Sequence, residues 1–140
     1  MFPCPSVEEK SMATSVHLTS TSGVFQEIEA RQHRMTADEP TNNHGTDKGP
    51  APYELLLASL AACSSATLRM YSDRKGFALG TITADLAFKR DRDGNESIER
   101  VISFSEKPTE EQMERIRDII EKTPVTKTLK RGTPITTRFE

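Results

Sequence analysis

The alternation of apolar and polar positions divides the 140-residue chain into short β segments, one long apolar run and three further patterned stretches. From Ser15, SVHLTS sets Val16 and Leu18 on one face, and Thr21–Gly23 signals a turn. The next stretch alternates loosely, with Val24, Ile28 and Met35 as inward candidates, so a hairpin or short meander is predicted. Asp38–Pro52 is rich in Pro, Gly, Asn and Asp and reads as a surface loop. Pro52 suits the first turn of a helix, where its missing N–H is not needed, and Glu54 sits where the helix dipole favours a negative charge. Leu55 to Ala62 then make the helix apolar on nearly all sides, the pattern of a helix buried on nearly all sides, and Gly76 is its expected C-cap. Ile82, Ala84, Leu86 and Phe88 alternate cleanly, Asp93–Gly94 turns the chain, and Ile98, Arg100, Ile102 and Phe104 share one face of a returning strand. TEEQ at Thr109–Gln112 is a capping box for a second helix with the stripe Met113, Ile116, Ile119 and Ile120, stopping at Pro124. A closing strand is expected over PITTRFE, carrying Ile135 and Phe139. The class is α+β: antiparallel β-sheets around a long buried central helix.

Composition sharpens this. Only 34% of residues are hydrophobic and 29% are charged, so the core is confined to a few segments. One small domain this polar can hardly bury such a helix alone, which implies a partner subunit. The small residues Ala58, Ser59, Ala61, Ala62, Ser64, Ser65 and Ala66 would let helices approach closely. A net charge of −2 gives no electrostatic case for nucleic acid or an anionic membrane, and the run Leu55–Cys63 is far too short to span a bilayer. Residues 1–12 lack the basic start and apolar middle of a signal peptide and read as a flexible leader, with Met12 as an alternative start and 13–140 as one domain. The two cysteines, Cys4 and Cys63, are too few for a disulfide scaffold and lack metal-knuckle spacing, so a reducing, cytoplasmic setting is expected.

Cys63 ends the apolar run about three turns into the helix, too deep for the N-terminal dipole to activate its thiol. One turn away on its face lie Leu60 and Thr67, neither ionisable, so any activating group must come from elsewhere. Two readings stay open: a small buried apolar side chain, or a nucleophile. His17, His33 and His44 have no metal spacing, NHGTDKG matches no phosphate loop, and KRDRDGNESIER is a solvated charged turn. Arg69 and Arg74 read as surface salt-bridge residues. No metal or cofactor is expected.

DEP at Asp38–Pro40, GTDKGPAPYELLLASLAAC at Gly45–Cys63 and TLRMYSDRKG at Thr67–Gly76 closely resemble the OsmC/Ohr family, the osmotically inducible protein C and organic hydroperoxide resistance proteins. The resemblance extends from about Met12 onward. It implies an intertwined homodimer with the long helices packed at its centre. It also implies thiol peroxidase chemistry, in which a cysteine on this helix attacks an organic hydroperoxide and a second cysteine resolves the sulfenic acid as a disulfide. A reduced thiol partner, often lipoylated, then restores the enzyme. Cys63 falls on the peroxidatic position. The family segment resembling CPVxxTL reads TPVTKTL here, so Thr123 occupies the resolving position. The glutamate that follows the helix-opening proline in the hydroperoxide branch is replaced by Tyr53. Glu54 comes one place later, about 100° around the helix. That branch's arginine in the first β-turn has no counterpart in Ser20–Gly23. The expectation is therefore a one-cysteine, thiol-dependent reductase of organic hydroperoxides in osmotic or oxidative stress. Cys63 is its nucleophile, and Glu54 or an arginine of the other subunit is the candidate for positioning the substrate. One variant makes Cys4 a substitute resolving thiol. The alternative is a non-catalytic dimeric binding module for a small apolar or acyl ligand, with Cys63 as packing.

Overall fold

The computed structural model describes residues 14–140, so the leader and Cys4 lie outside the described residues. The chain divides into two compact units, one ending at Pro52 and the other running Tyr53–Glu140.

The first unit carries a three-stranded antiparallel sheet, β1 (His17–Thr19), β2 (Gln26–Ala30) and β3 (His33–Ala37), in that order. Its register pairs Leu18 with Ile28 and Ile28 with Met35, so the three apolar side chains share one face. Of the inward candidates only Ile28, on the central strand, is buried; Val24 is half-buried, and Val16, Leu18 and Met35 are exposed. The edge strands have a neighbour on one side only, which leaves their side chains open. The following loop is more ordered than a plain surface loop. It contains a 3-10 turn, Thr41–Asn43, and winds around the buried side chain of Asp38. The Asp38 carboxylate accepts from the N–H groups of Glu39 (2.8 Å), Lys48 (3.1 Å) and Thr46 (3.3 Å) and from the Thr46 hydroxyl (2.5 Å). The Thr46 hydroxyl above all, then the backbone amides, hold the Asp38 carboxyl below its usual range, against the opposing effect of burial. At Gly45 a Cβ would lie 1.7 Å from the Glu39 carbonyl oxygen, so the turn closes only over glycine.

The second unit is built on α1 (Pro52–Lys75), which opens on Pro52 and stops where Gly76 takes a left-handed φ of 76°. Its buried stripe is Leu60, Ser64, Leu68 and Ser72, at four-residue spacing. The other apolar positions of α1 are half-buried or exposed, Met70 among them. β4 (Ile82–Arg90) pairs antiparallel with β5 (Glu96–Phe104) from Ile82↔Phe104 to Arg90↔Glu96. One face of this hairpin therefore carries Ala84, Leu86 and Phe88 beside Ile102, Arg100 and Ile98, as the alternation predicts. The turn spans Asp91–Asn95, with the Asp91 carboxylate accepting from the N–H groups of Asp93 and Asn95 (both 2.9 Å). α2 (Glu110–Ile120) opens on the expected capping box: the Gln112 N–H donates to the Thr109 hydroxyl (3.2 Å), and the Thr109 N–H to the Gln112 side-chain oxygen (2.9 Å). Leu68, Leu79 and Ile116 form the buried core, with Ile82, Ile102, Phe104 and Met113 packed against it.

The expected closing strand is absent. Pro124 does not merely stop α2; it opens a third helix, α3 (Pro124–Arg131), and residues 132–140 have no regular structure. Ile135 and Phe139 are 86% and 95% exposed. In PITTRFE the two apolar side chains are four residues apart with Thr137 between them, so no continuous apolar strand face exists to bury. Pro134 also withholds a backbone donor.

Candidate functional site

Steps of three and four residues put Tyr53, Leu56, Leu60, Cys63 and Thr67 along one side of α1. The first three line a cavity of about 570 Å³, closed by Phe88, Ile98 and Arg100 of the hairpin and by Thr126 and Leu129 of α3. At its mouth the Tyr53 ring stacks on Phe88, with centroids 4.6 Å apart. The Arg90 guanidinium lies over both rings, donates to the Tyr53 hydroxyl (3.2 Å) and pairs with Glu96.

Cys63 continues the cavity-lining stripe by one turn. Its thiol is free and the residue is half-buried, and its backbone carbonyl accepts from the Thr67 hydroxyl (2.8 Å). The sulfur itself has no hydrogen-bond partner among the described residues, and Cys63 is not one of the residues that wall the cavity. Glu54 is exposed and lies off the cavity wall, whereas Tyr53 faces it. Thr123 is fully buried and shares a hydrogen bond with the Thr126 hydroxyl (2.6 Å). Arg69 is not a surface salt-bridge residue: its Nη2 donates to the Gly80 carbonyl (2.7 Å), because the helix brings it against the strand-entry turn. His17, His33 and His44 are exposed. Among the described residues no three His, Cys, Asp or Glu side chains converge as metal ligands, and no helix is long and apolar enough to cross a membrane.

The residue that the sequence reading passes over is Arg100. Its Nη1 donates to the hydroxyls of Ser64 (2.7 Å) and Thr126 (2.9 Å), and its Nη2 to the Ile120 carbonyl (3.2 Å). One side chain thus joins α1, the end of α2 and α3. The Ser64 hydroxyl in turn donates to the Leu60 carbonyl (2.7 Å). The signal is present in the chain: an arginine between Ile98 and Ile102 on the apolar face of a strand is out of place unless its charge is used. The other charged groups on the cavity wall are paired, Glu96 with Arg90 and Glu121 with Lys130. The Glu121 carboxyl is held below its usual range first by the Lys130 hydrogen bond and, less strongly, by the charges of Lys130 and Arg100.

A family model described as OsmC-like protein matches residues 45–138. None of the curated proteins compared with the chain matches it. Among solved structures, a protein assigned to osmotic stress and detoxification response from Psychrobacter arcticus superposes with a TM-score of 0.74 at 19% identity, covering 83% of this chain and 88% of that one. An OsmC-like protein from Mycoplasma pneumoniae gives 0.66 at 22% identity, with 84% and 87% covered. The organic hydroperoxide resistance protein OhrB of Bacillus subtilis gives 0.60 at 18% identity, with 88% and 93% covered. At these identities the likeness establishes the fold.

Proposed function

The chain belongs to the OsmC-like protein family, and from that premise we propose that it reduces organic hydroperoxides through a single cysteine, Cys63, at the expense of an external thiol. The observation that carries this reading is the free, half-buried Cys63 thiol, one turn beyond the apolar cavity wall on the same side of α1. The Cys63 thiolate attacks the distal oxygen of the hydroperoxide, the O–O bond breaks, and the departing alkoxide takes a proton to become the alcohol. Sulfur is oxidised to sulfenic acid and the peroxide is reduced. One external thiol condenses with the sulfenic acid, releasing water and leaving a mixed disulfide. A second thiol frees Cys63 and departs as the external disulfide. An internal resolving step at position 123 has no chemistry available, because Thr123 is a hydroxyl committed to Thr126. The Leu56, Leu60 and Phe88 walls favour an organic peroxide over hydrogen peroxide.

The same reading takes the protein to be a homodimer working in the reducing cytoplasm. Leu55, Leu57, Ala58, Ala62 and Met70, all off the buried stripe of α1, keep part of their surface open and offer the apolar face for a second copy. The test is consumption of tert-butyl hydroperoxide with dithiothreitol by the wild type and by Cys63→Ser. The variant should fall to the uncatalysed rate, and dimedone should label Cys63 in the wild type. Equal rates for the two proteins end the reading.

A further inference from the structure

We propose that Arg100 is the anion-binding group of the cavity and that the cavity takes a small monocarboxylate with an apolar tail, independently of the thiol chemistry of Cys63. Arg100 is half-buried, and every acceptor of its hydrogen bonds is neutral: the Ser64 and Thr126 hydroxyls and the Ile120 carbonyl. No carboxylate among the described residues forms a salt bridge with it, and the nearby Glu121 gives its hydrogen bond to Lys130. The Glu121 charge that Arg100 feels is already committed to Lys130, which leaves the remaining guanidinium donors for an anion from outside.

The donors are also left in a usable form. A guanidinium has five N–H bonds in a rigid fork. Nη1 spends both of its own and Nη2 one, so the Nε–H and one Nη2–H have no acceptor among the described residues. Nε and Nη2 form one edge of the fork, the spacing that meets both oxygens of a carboxylate. Beside Arg100 the wall carries Leu56, Leu60, Phe88, Ile98 and Leu129, and its other charged side chains, Glu96, Glu121 and Lys130, are held in ion pairs. A volume of about 570 Å³ falls within the ~300–1,000 Å³ range of small-ligand pockets. One cation without a salt-bridge partner beside a row of apolar side chains matches a monoanion carrying a hydrocarbon tail. A phosphate, with more charge, would need further cations, and the Lys130 and Arg90 charges are already neutralised by Glu121 and Glu96.

Calorimetric titration of the full chain with sodium octanoate, octan-1-ol and octylammonium tests this. Octanoate should bind at least about tenfold more tightly than the other two, the factor that ~1.4 kcal/mol of head-group recognition gives, and should raise Tm with concentration. Arg100→Gln should reduce octanoate to the affinity of the alcohol. Because that change also loosens the joint between helices, Leu129→Glu provides a second arm. It places a negative charge on the cavity wall at a position that is 37% exposed, and should weaken octanoate binding about tenfold or more while Tm stays unchanged. Cys63→Ser should bind octanoate as the wild type does, which separates this outcome from the fate of the peroxidase reading. No octanoate binding, equal binding of the alcohol, or an unaffected Leu129→Glu variant would overturn the proposal.

Discussion

Replacing Arg100 by methionine asks whether this arginine is chiefly a brace or chiefly a site. Hydrogen bonds from a charged donor are worth ~1.5–3 kcal/mol each by deletion. Simple addition over its three bonds gives about 5–9 kcal/mol, comparable with the whole ~5–15 kcal/mol stability of a domain. The structure argues for much less. Without the guanidinium, Ser64 still donates to the Leu60 carbonyl and Thr126 still pairs with Thr123, so only the Ile120 carbonyl loses its partner. Methionine keeps an apolar stem against the same wall, and removing a half-buried charge returns part of its desolvation cost. The expected net loss is about 1–2 kcal/mol, or roughly 3–8 °C in Tm for a chain of this size. Urea unfolding followed by circular dichroism measures it, with Ser64→Ala as the companion variant. A loss above about 4 kcal/mol with an unchanged m-value would refute the reasoning. It would mean that the protein's own oxygens already compensate the charge, so that no bound anion is needed.

Leu68 is fully buried in the core with Leu79 and Ile116, so Leu68→Ala should cost ~2–5 kcal/mol in the same unfolding experiment. The Asp38 carboxyl is depressed in the folded chain, so its contribution is complete above the unfolded value of ~3.9 and is lost as pH falls through the lower folded value. Amide exchange in residues 38–50 should accelerate in that acid window in the wild type, whereas Asp38→Asn should show fast exchange already at pH 6. Thr123→Cys, close in volume to the native side chain, should lose about 1 kcal/mol with the Thr126 hydrogen bond. On addition of hydroperoxide, the introduced thiol should form a disulfide with Cys63. Intact mass under non-reducing conditions reads this directly, and an unbridged, sulfenic Cys63 would count against position 123 as the resolving position that the family resemblance implies.

The elements with local chemical punctuation are legible in the sequence. Pro52 and Gly76 mark both ends of α1, Thr109 and Gln112 mark the start of α2, and strict alternation fixes the inner face of β4 and β5. The misses come where one residue has two meanings. Pro124 is equally a helix stop and a helix first-turn residue, and the hydrogen bonds of Thr126 with Arg100 and Thr123 favour the second. Ile135 and Phe139 promise a strand that has no continuous face to bury. At the site, Cys63 is legible as the end of an apolar run. The alternation puts Arg100 on the correct face but does not reveal its role, because that role depends on oxygens 20 to 36 residues away in sequence.

The stacked Tyr53 ring at the cavity mouth has an optical consequence. The chain contains no tryptophan and two tyrosines. Tyr71 meets Phe77 edge-on, apart from the cavity wall, while Tyr53 lies on Phe88 under the Arg90 guanidinium. With Tyr71→Phe as the background, the entire tyrosine emission of the chain comes from the gatepost of the cavity, and the entry of any guest registers as a change in brightness without a dye or label.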